Sequence, residues 1–529
     1  MLGKRLKRFI FNCAVLTLTA LFMRSVALAF NACITKKVGA ECIGLFSLIM
    51  SVYGFTVTVA TSGVNLAVTR MVSKYIGMND SKRAVASFKK CLLYASFFGS
   101  LASLGLFLLS RPIGIGILGD GRTVFSLKVM SVSMLPVAFS TCFAGYFTAV
   151  RRAAKNAVTQ IFEQAVRIIL ITYGLMLLMP SGIEFACVAL VGGGAASEIL
   201  SFLFSFVLWF FYRRRIRKGE VCNCRESNRF DTGKYPSLTK EMLWITLPVA
   251  LSSYIRSLLV TVEHILIPKR LVKGGRNGTD ALKSYGALHG MAMPVVLYPY
   301  AFVSSFSGLL IPEISESIAS GDRERIKRIT ERAITLTLYF SMGVAGIMIV
   351  FSSALGEGIY SSYEAGTYIA IIAPVLPIMY LDTVTDSILK GLGEQVYSMA
   401  VNISDSVLSI LMVWFILPIY GAKGYAIVIM VAEIYNFALS MTRLHKKVRF
   451  SFSALRSVLL PLALSVLVCR TYARYVFPDF IYTNTEIALE IFICALTYGV
   501  LSYIVIILSR KCNVAKNRKK SQEQAHKTV

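Results

Sequence analysis

Apolar runs of eighteen residues or more recur along the whole length of this 529-residue chain. A run of that length spans the hydrocarbon core of a bilayer as a helix, and a soluble core has no room for so many of them. Lipid offers no hydrogen-bond partner to an exposed backbone group, so segments of this length must satisfy themselves internally as helices. Charge is correspondingly sparse, at 16% of residues against about 25% in an ordinary soluble domain. The expectation is an all-α polytopic membrane protein.

The apolar segments lie near 9–34, 43–67, 88–110, 124–149, 157–179 and 185–212, then near 243–268, 286–311, 333–355, 367–390, 398–418 and 424–442, with two more near 452–472 and 485–509. That makes about 14 transmembrane helices. A basic, polar stretch at 213–241 containing the run 213–218, Arg-Arg-Arg-Ile-Arg-Lys, interrupts the series. The expected organisation is therefore a six-helix N-terminal lobe (1–212), a linker (213–241), a six-helix C-terminal lobe (242–450), two additional helices (451–509) and a basic tail (510–529). The first segment follows Lys4, Arg5, Lys7 and Arg8, and Ala27-Leu28-Ala29 resembles a signal cleavage site. The segment nevertheless continues to Ile34 and contains Arg24, which favours a retained first helix.

The net charge of +28 would suit a nucleic-acid binder, but its distribution does not. Lys and Arg fall about threefold more often in alternate loops on one side of the spans, the positive-inside pattern. No nucleic-acid partner is expected; the basic loops face anionic lipid headgroups, and both termini are expected to be cytoplasmic in a multi-pass cell-membrane protein. The loop 269–284 departs from that pattern: it should lie outside, yet it carries Lys269, Arg270, Lys273, Arg276 and Lys283. It reads equally as tolerated charge or as a cationic rim for an anionic substrate.

The eleven cysteines are scattered and mostly embedded in apolar sequence, and the Cys222/Cys224 pair has no further Cys or His cluster to complete a metal site. Gly192-Gly193-Gly194 lacks the Lys-Ser/Thr of a phosphate loop and fits close helix packing better. No Walker motif is present, which argues against direct ATP hydrolysis. A membrane glycosyltransferase or polymerase would carry a large external loop or a soluble domain with paired carboxylates, and the longest loop here is basic and inside. No cofactor or metal is expected.

The stretch 145–170, GYFTAVRRAAKNAVTQIFEQAVRIIL, carries the densest polar stripe within apolar sequence. Gln160, Glu163, Gln164 and Arg167 recur at helical spacing, and Glu163 and Arg167 share a face. The register that carries Gly44 onto Gly286 also carries Ser73 onto Ser315, Ile76 onto Ile318, Asp80 onto Asp322 and Arg83 onto Arg325. It takes Gln160 to Asn402 and Glu163 to Asp405. A gapless register across several elements points to two copies of one six-helix unit, in the same orientation because six is even, as in parallel-repeat transporters.

The stretch 285–331 and the run from Gly145 to Ile168 resemble bacterial polysaccharide transporters of the multidrug/oligosaccharidyl-lipid/polysaccharide exporter superfamily. The branch they are most similar to holds stage V sporulation protein B and lipid-linked oligosaccharide flippases. Arg24 with KKVGAECIGLFSL, and KGLGEQ at 390–395, look like further signatures of the family. In the run after Gly145, Thr148-Ala149 stands where a Gln-Gly pair is usual, while Gln160, Glu163, Gln164 and Arg167 match. The resemblance implies two parallel-repeat six-helix lobes around a central cavity of alternating access. It also implies a polyprenyl-pyrophosphate-linked sugar as substrate. The lipid II branch carries arginines on helices 1, 2 and 8; here helix 1 has Arg24 and the other two have none in apolar sequence.

A diphosphate is best met by guanidinium, which donates bidentate, charge-assisted hydrogen bonds. The candidate cations are Arg24, Arg167 and Arg256. Ionisable groups at such positions normally face a protein interior or a water-filled cavity. Polar and acidic candidates for substrate binding or ion coupling are Gln160, Glu163, Gln164, Glu263, Asp382, Asp386 and Asp405, with Glu198 and Glu433 as further embedded acids. Asp382 and Asp386 are one turn apart, and a close carboxylate pair can hold a proton or Na⁺. Helix-packing polar contacts are the competing explanation for each. His264 and His289 read as structural. The alternative to a flippase is a multidrug or cation antiporter of the same superfamily.

Overall fold

The structure is a computed structural model and describes residues 2–78, 80–150, 152–217, 237–450, 458–475 and 484–527. Most of the expected linker, with Cys222 and Cys224, lies outside the described residues. No strand occurs among the described residues, and the helices divide between two compact units.

The first unit comprises residues 1–290 with 410–418. Its helices are α1 (Leu2–Thr61), α2 (Val64–Gly77), α3 (Ser81–Arg111), α4 (Thr123–Ala149), α5 (Ala153–Leu178), α6 (Ile183–Arg217), α7 (Leu238–Lys273) and α8 (Gly278–Tyr285). The second comprises 291–409 and 419–529. It holds α9 (Met293–Val296), α10 (Tyr300–Ala319), α11 (Arg323–Val350), α12 (Ser352–Tyr360), α13 (Tyr363–Ile372), α14 (Leu376–Gly391), most of α15 (Gln395–Tyr420), α16 (Gly424–Val448), α17 (Leu460–Tyr475) and α18 (Asn484–Lys527).

Ten helical stretches are long and apolar enough to cross a membrane, and Gly278–Val296 with Tyr300–Ile318 forms one more as a broken span. Two of the ten hold two crossings each. Phe22–Ile76 bends at Gly39, whose φ of +79° a side chain would strain. Gln395–Val448 turns at Gly421–Lys423. With the shorter apolar helix Leu460–Tyr472, the described residues hold the fourteen expected crossings.

Local sequence explains where these helices start and how they pack. Asp80 caps α3 by accepting from Arg83 N at 2.9 Å, and Asp322 caps α11 by accepting from Arg325 N at 2.8 Å. An N-cap carboxylate satisfies an orphan amide and meets the positive helix end. These caps occupy equivalent positions in the sequence register. So do two hydrogen bonds: Ser73 Oγ donates to Ala149 O at 3.3 Å, and Ser315 Oγ to Gly391 O at 3.0 Å.

Helices in lipid gain nothing from hiding apolar surface from one another, so small residues that allow close contact hold them together. Gly99 of α3 lies against Ala138 of α4, where a Cβ would approach within 2.9 Å. Gly44 of α1 meets the carbonyl of Leu282, and Gly286 meets that of Ala40; a Cβ on either glycine would come within 2.2 Å of the oxygen. The two glycines and their two partners are again equivalent in the register. On the outward face of α3, Leu93, Phe97, Leu101, Leu104 and Leu108 are exposed at helical spacing, as lipid contact requires.

Candidate functional site

The Gln160–Arg167 stripe of α5 faces α6, whose sequence places Ser197, Glu198, Ser201 and Ser205 at helical spacing. Arg167 Nη2 lies 2.8 Å from Glu163 Oε1 and 3.7 Å from Glu198 Oε1. Its Nε donates to Ser197 Oγ at 3.3 Å, and Ser201 Oγ donates to Glu163 Oε2 at 3.0 Å. The Tyr53 hydroxyl of α1 donates to Glu198 Oε1, while Glu198 Oε2 is buried with no hydrogen-bond partner among the described residues. Three helices thus converge on one charged cluster. It borders a pocket of about 230 Å³ that also exposes Asn156, Gln160 and Ser205.

The chemistry follows from the charge count. Two carboxylates share one guanidinium, so full ionisation leaves one net negative charge within membrane-spanning helices. An uncompensated charge at the centre of a bilayer costs about 3 kcal/mol or more. One proton or one small cation removes it.

Of the residues expected from sequence, the cluster joins Glu163 and Arg167, and Gln160 lines its pocket. Gln164 is half-buried on the same helix, and Arg24 on α1 and Arg256 on α7 are exposed. Tyr53, Ser197 and Ser201 are not among the residues that the sequence singles out, and Glu198 is singled out there only as one of the embedded acids. Nothing in a single sequence says which faces of α1, α5 and α6 meet.

Elsewhere in the first unit, Glu263 is half-buried on α7. Beside it His264 Nδ1 shares a hydrogen bond with the Tyr285 hydroxyl at 2.9 Å, and the His264 and His289 rings lie 4.5 Å apart. The basic loop is also partly structural: the Arg270 guanidinium is buried over the Trp414 ring, and Arg276 Nη1 donates to Ser284 Oγ at 2.5 Å. Arg122, between α3 and α4, reaches Glu41 at 3.1 Å and Asp120 at 2.7 Å. Burial opposes ionisation of Asp120, but side-chain and backbone hydrogen bonds from Arg122 outweigh it and hold the carboxyl below its usual range.

In the second unit Asp386 is engaged by Lys390 Nζ at 2.5 Å and accepts from Ser398 Oγ. Asp382, one turn earlier, is half-buried. The expected acidic pair therefore includes a carboxylate already matched by an ammonium. Asp405 is half-buried on α15, whose Asn402 accepts from Asn436 Nδ2 at 3.3 Å; Ser440 Oγ donates to Asn436 Oδ1 at 3.4 Å. Glu394 accepts from Arg443 and Lys447 at 2.8 and 2.5 Å. Hydrogen bonds from Lys447 and then Arg443 hold its carboxyl below the usual range. No group of three or more metal-ligating side chains occurs among the described residues.

Fourteen apolar crossings with a charged cluster set among three of them define a multi-pass membrane protein with an ionisable site inside its spans. Solved structures agree in fold. The chain is similar to a lipid II flippase MurJ in an inward closed conformation, with a TM-score of 0.68, 15% identity, and 93% of this chain and 100% of that one covered. It is similar also to an inward-facing multidrug resistance MATE family transporter of the MOP superfamily, with a TM-score of 0.63, 15% identity, and coverage of 83% and 100%. More particularly, the chain belongs to the polysaccharide biosynthesis protein family, whose model matches residues 9–318; a MatE model matches 275–415. Stage V sporulation protein B of Bacillus subtilis (strain 168) is 25% identical over 388 residues, 73% of each chain.

Proposed function

We propose that the protein is an alternating-access flippase that carries a polyprenyl-linked oligosaccharide or cell-wall precursor across the cell membrane, with both termini cytoplasmic. The observation that carries this reading is the charged cluster of Tyr53, Glu163, Arg167 and Glu198 beside a polar pocket. A sugar head needs a polar, hydrogen-bonding path while its polyprenyl tail stays in lipid. Membership of the polysaccharide biosynthesis family and likeness in fold to a lipid II flippase support the substrate class.

Within this reading the arginines divide by role. Arg24 and Arg256, exposed on their helices, are the cations offered to the pyrophosphate. Arg167 is matched to two carboxylates and sets the charge of a coupling site, where Glu198 or Glu163 exchanges H⁺ or Na⁺. Asp382, Asp386, Asp405 and Glu263 are secondary candidates. The match of the MatE model to 275–415 keeps one second reading, a multidrug or cation antiporter.

Proteoliposomes separate the two. Accelerated transfer of a polyprenyl-pyrophosphate sugar, slowed by Arg24→Ala and Arg256→Ala, is the expected result. Transport of a cationic drug without movement of the sugar lipid would overturn it. Orientation is tested by labelling cysteines introduced at each terminus in intact cells: access from outside would contradict cytoplasmic termini.

A further inference from the structure

Beside the charged cluster, the first unit has a second, chemically distinct concavity. A groove of about 560 Å³ runs between α1 and the end of α5. Its α1 wall is Phe30, Cys33, Ile34 and Lys37, a single stripe at helical spacing. The facing wall includes Leu175, Met176, Met179 and Pro180. The lining is apolar except for Thr172 and for Lys37, which lies in the last turn before the bend at Gly39. Lys37 is exposed and forms no salt bridge among the described residues.

We infer that this groove binds an anionic phospholipid, with one acyl chain against Phe30, Leu175 and Met176 and its phosphate on the Lys37 ammonium. An apolar cleft open to a bilayer fills with hydrocarbon, and an ammonium at one end selects which lipid supplies it. Length favours a lipid of one leaflet over the long chain of a polyprenyl cargo. Phe30 to Lys37 rises about 10 Å along the helix. That is less than the roughly 15 Å depth of one hydrocarbon leaflet. A headgroup level with Lys37 thus leaves its chain in contact with the whole stripe. This site is independent of the coupling cluster and of the identity of the transported lipid.

The test uses the full-length protein in proteoliposomes doped with phosphatidylglycerol or phosphatidylcholine carrying a photoactivatable group on one acyl chain. Cross-links are mapped by mass spectrometry to 30–37 and 172–180. Headgroup attraction by one lysine predicts about fivefold more labelling by phosphatidylglycerol. Lys37→Gln should abolish that preference and Lys37→Arg should retain it, while Met176→Trp, which fills the groove, should reduce labelling by both lipids. Equal labelling by the two lipids in the unaltered protein would overturn the proposal. So would displacement of the phosphatidylglycerol label by an equimolar amount of undecaprenyl phosphate, which would assign the groove to a polyprenyl chain.

Discussion

Helices α5 and α15 occupy equivalent places in the sequence register, as do α6 and α16, yet their chemistry differs. The acid persists: Glu163 corresponds to Asp405. Its cation does not, because Arg167 corresponds to Ser409, and the second acid, Glu198, corresponds to Ser440. The first pair of helices therefore builds a charged cluster, the second a neutral amide and hydroxyl chain through Asn402, Asn436 and Ser440. Features that only build the fold show no such divergence, since the Asp80 and Asp322 caps and the Ser73 and Ser315 hydrogen bonds recur in kind. The proposed coupling chemistry falls where the duplicated architecture carries unlike side chains.

The contrast is broken most severely at Arg167. Arg167→Ala leaves Glu163 and Glu198 facing each other without a cation. It should abolish transport and cost about 2–3 kcal/mol, below the roughly 3–5 kcal/mol for breaking a fully buried pair, because these side chains stay partly accessible. The double variant Glu163→Arg/Arg167→Glu should recover much of the lost stability, since pairing of the two sites survives the exchange. Thermal unfolding in detergent with and without the exchange reads both; no recovery would mean that the cluster is not held by the pair.

The shared framework gives the next largest effect. Gly44→Ala and Gly286→Ala should each destabilise by about 1–3 kcal/mol, because each added methyl meets a backbone oxygen that cannot move alone. Two closely matched melting-temperature losses would support the equivalence of the positions, and one silent variant would break it. Ser440→Ala removes only a long neutral hydrogen bond and should cost about 0.5–1 kcal/mol, with transport retained.

The smallest effect depends on pH. Glu394 has a depressed folded-state pKa, so its contribution is present above the carboxylate's unfolded value and is lost as pH falls through the folded one. Glu394→Gln should lower the melting temperature at neutral pH, and its difference from the unaltered protein should close below about pH 4. A gap that persists in acid would show that shape, rather than charge, holds the Glu394 contacts.

Much of the fold was legible because lipid admits few solutions: long apolar runs had to be helices, and their number followed. The caps at Asp80 and Asp322 were visible as charged residues at helix starts. Helix continuity was less so. The segment expected as one span near 286–311 is instead broken around α9, where Pro294 and Pro299 interrupt it, and α1 crosses its expected loop with a single bend at Gly39. In the candidate site, Glu163 and Arg167 were readable from their spacing on one helix. Tyr53 looked like an ordinary apolar aromatic, and the facing of Glu198 toward Arg167 depends on helix rotation, which spacing within one helix does not encode.

The most direct test of a coupling site on α5 and α6 is sugar-lipid flipping in proteoliposomes under an imposed H⁺ or Na⁺ gradient, for the unaltered protein, Glu198→Gln and Asp405→Asn. The account predicts that the gradient accelerates flipping in the unaltered protein and in Asp405→Asn, and that Glu198→Gln removes the acceleration. Gradient dependence that survives Glu198→Gln but disappears in Asp405→Asn would place coupling in the other half of the chain and contradict it.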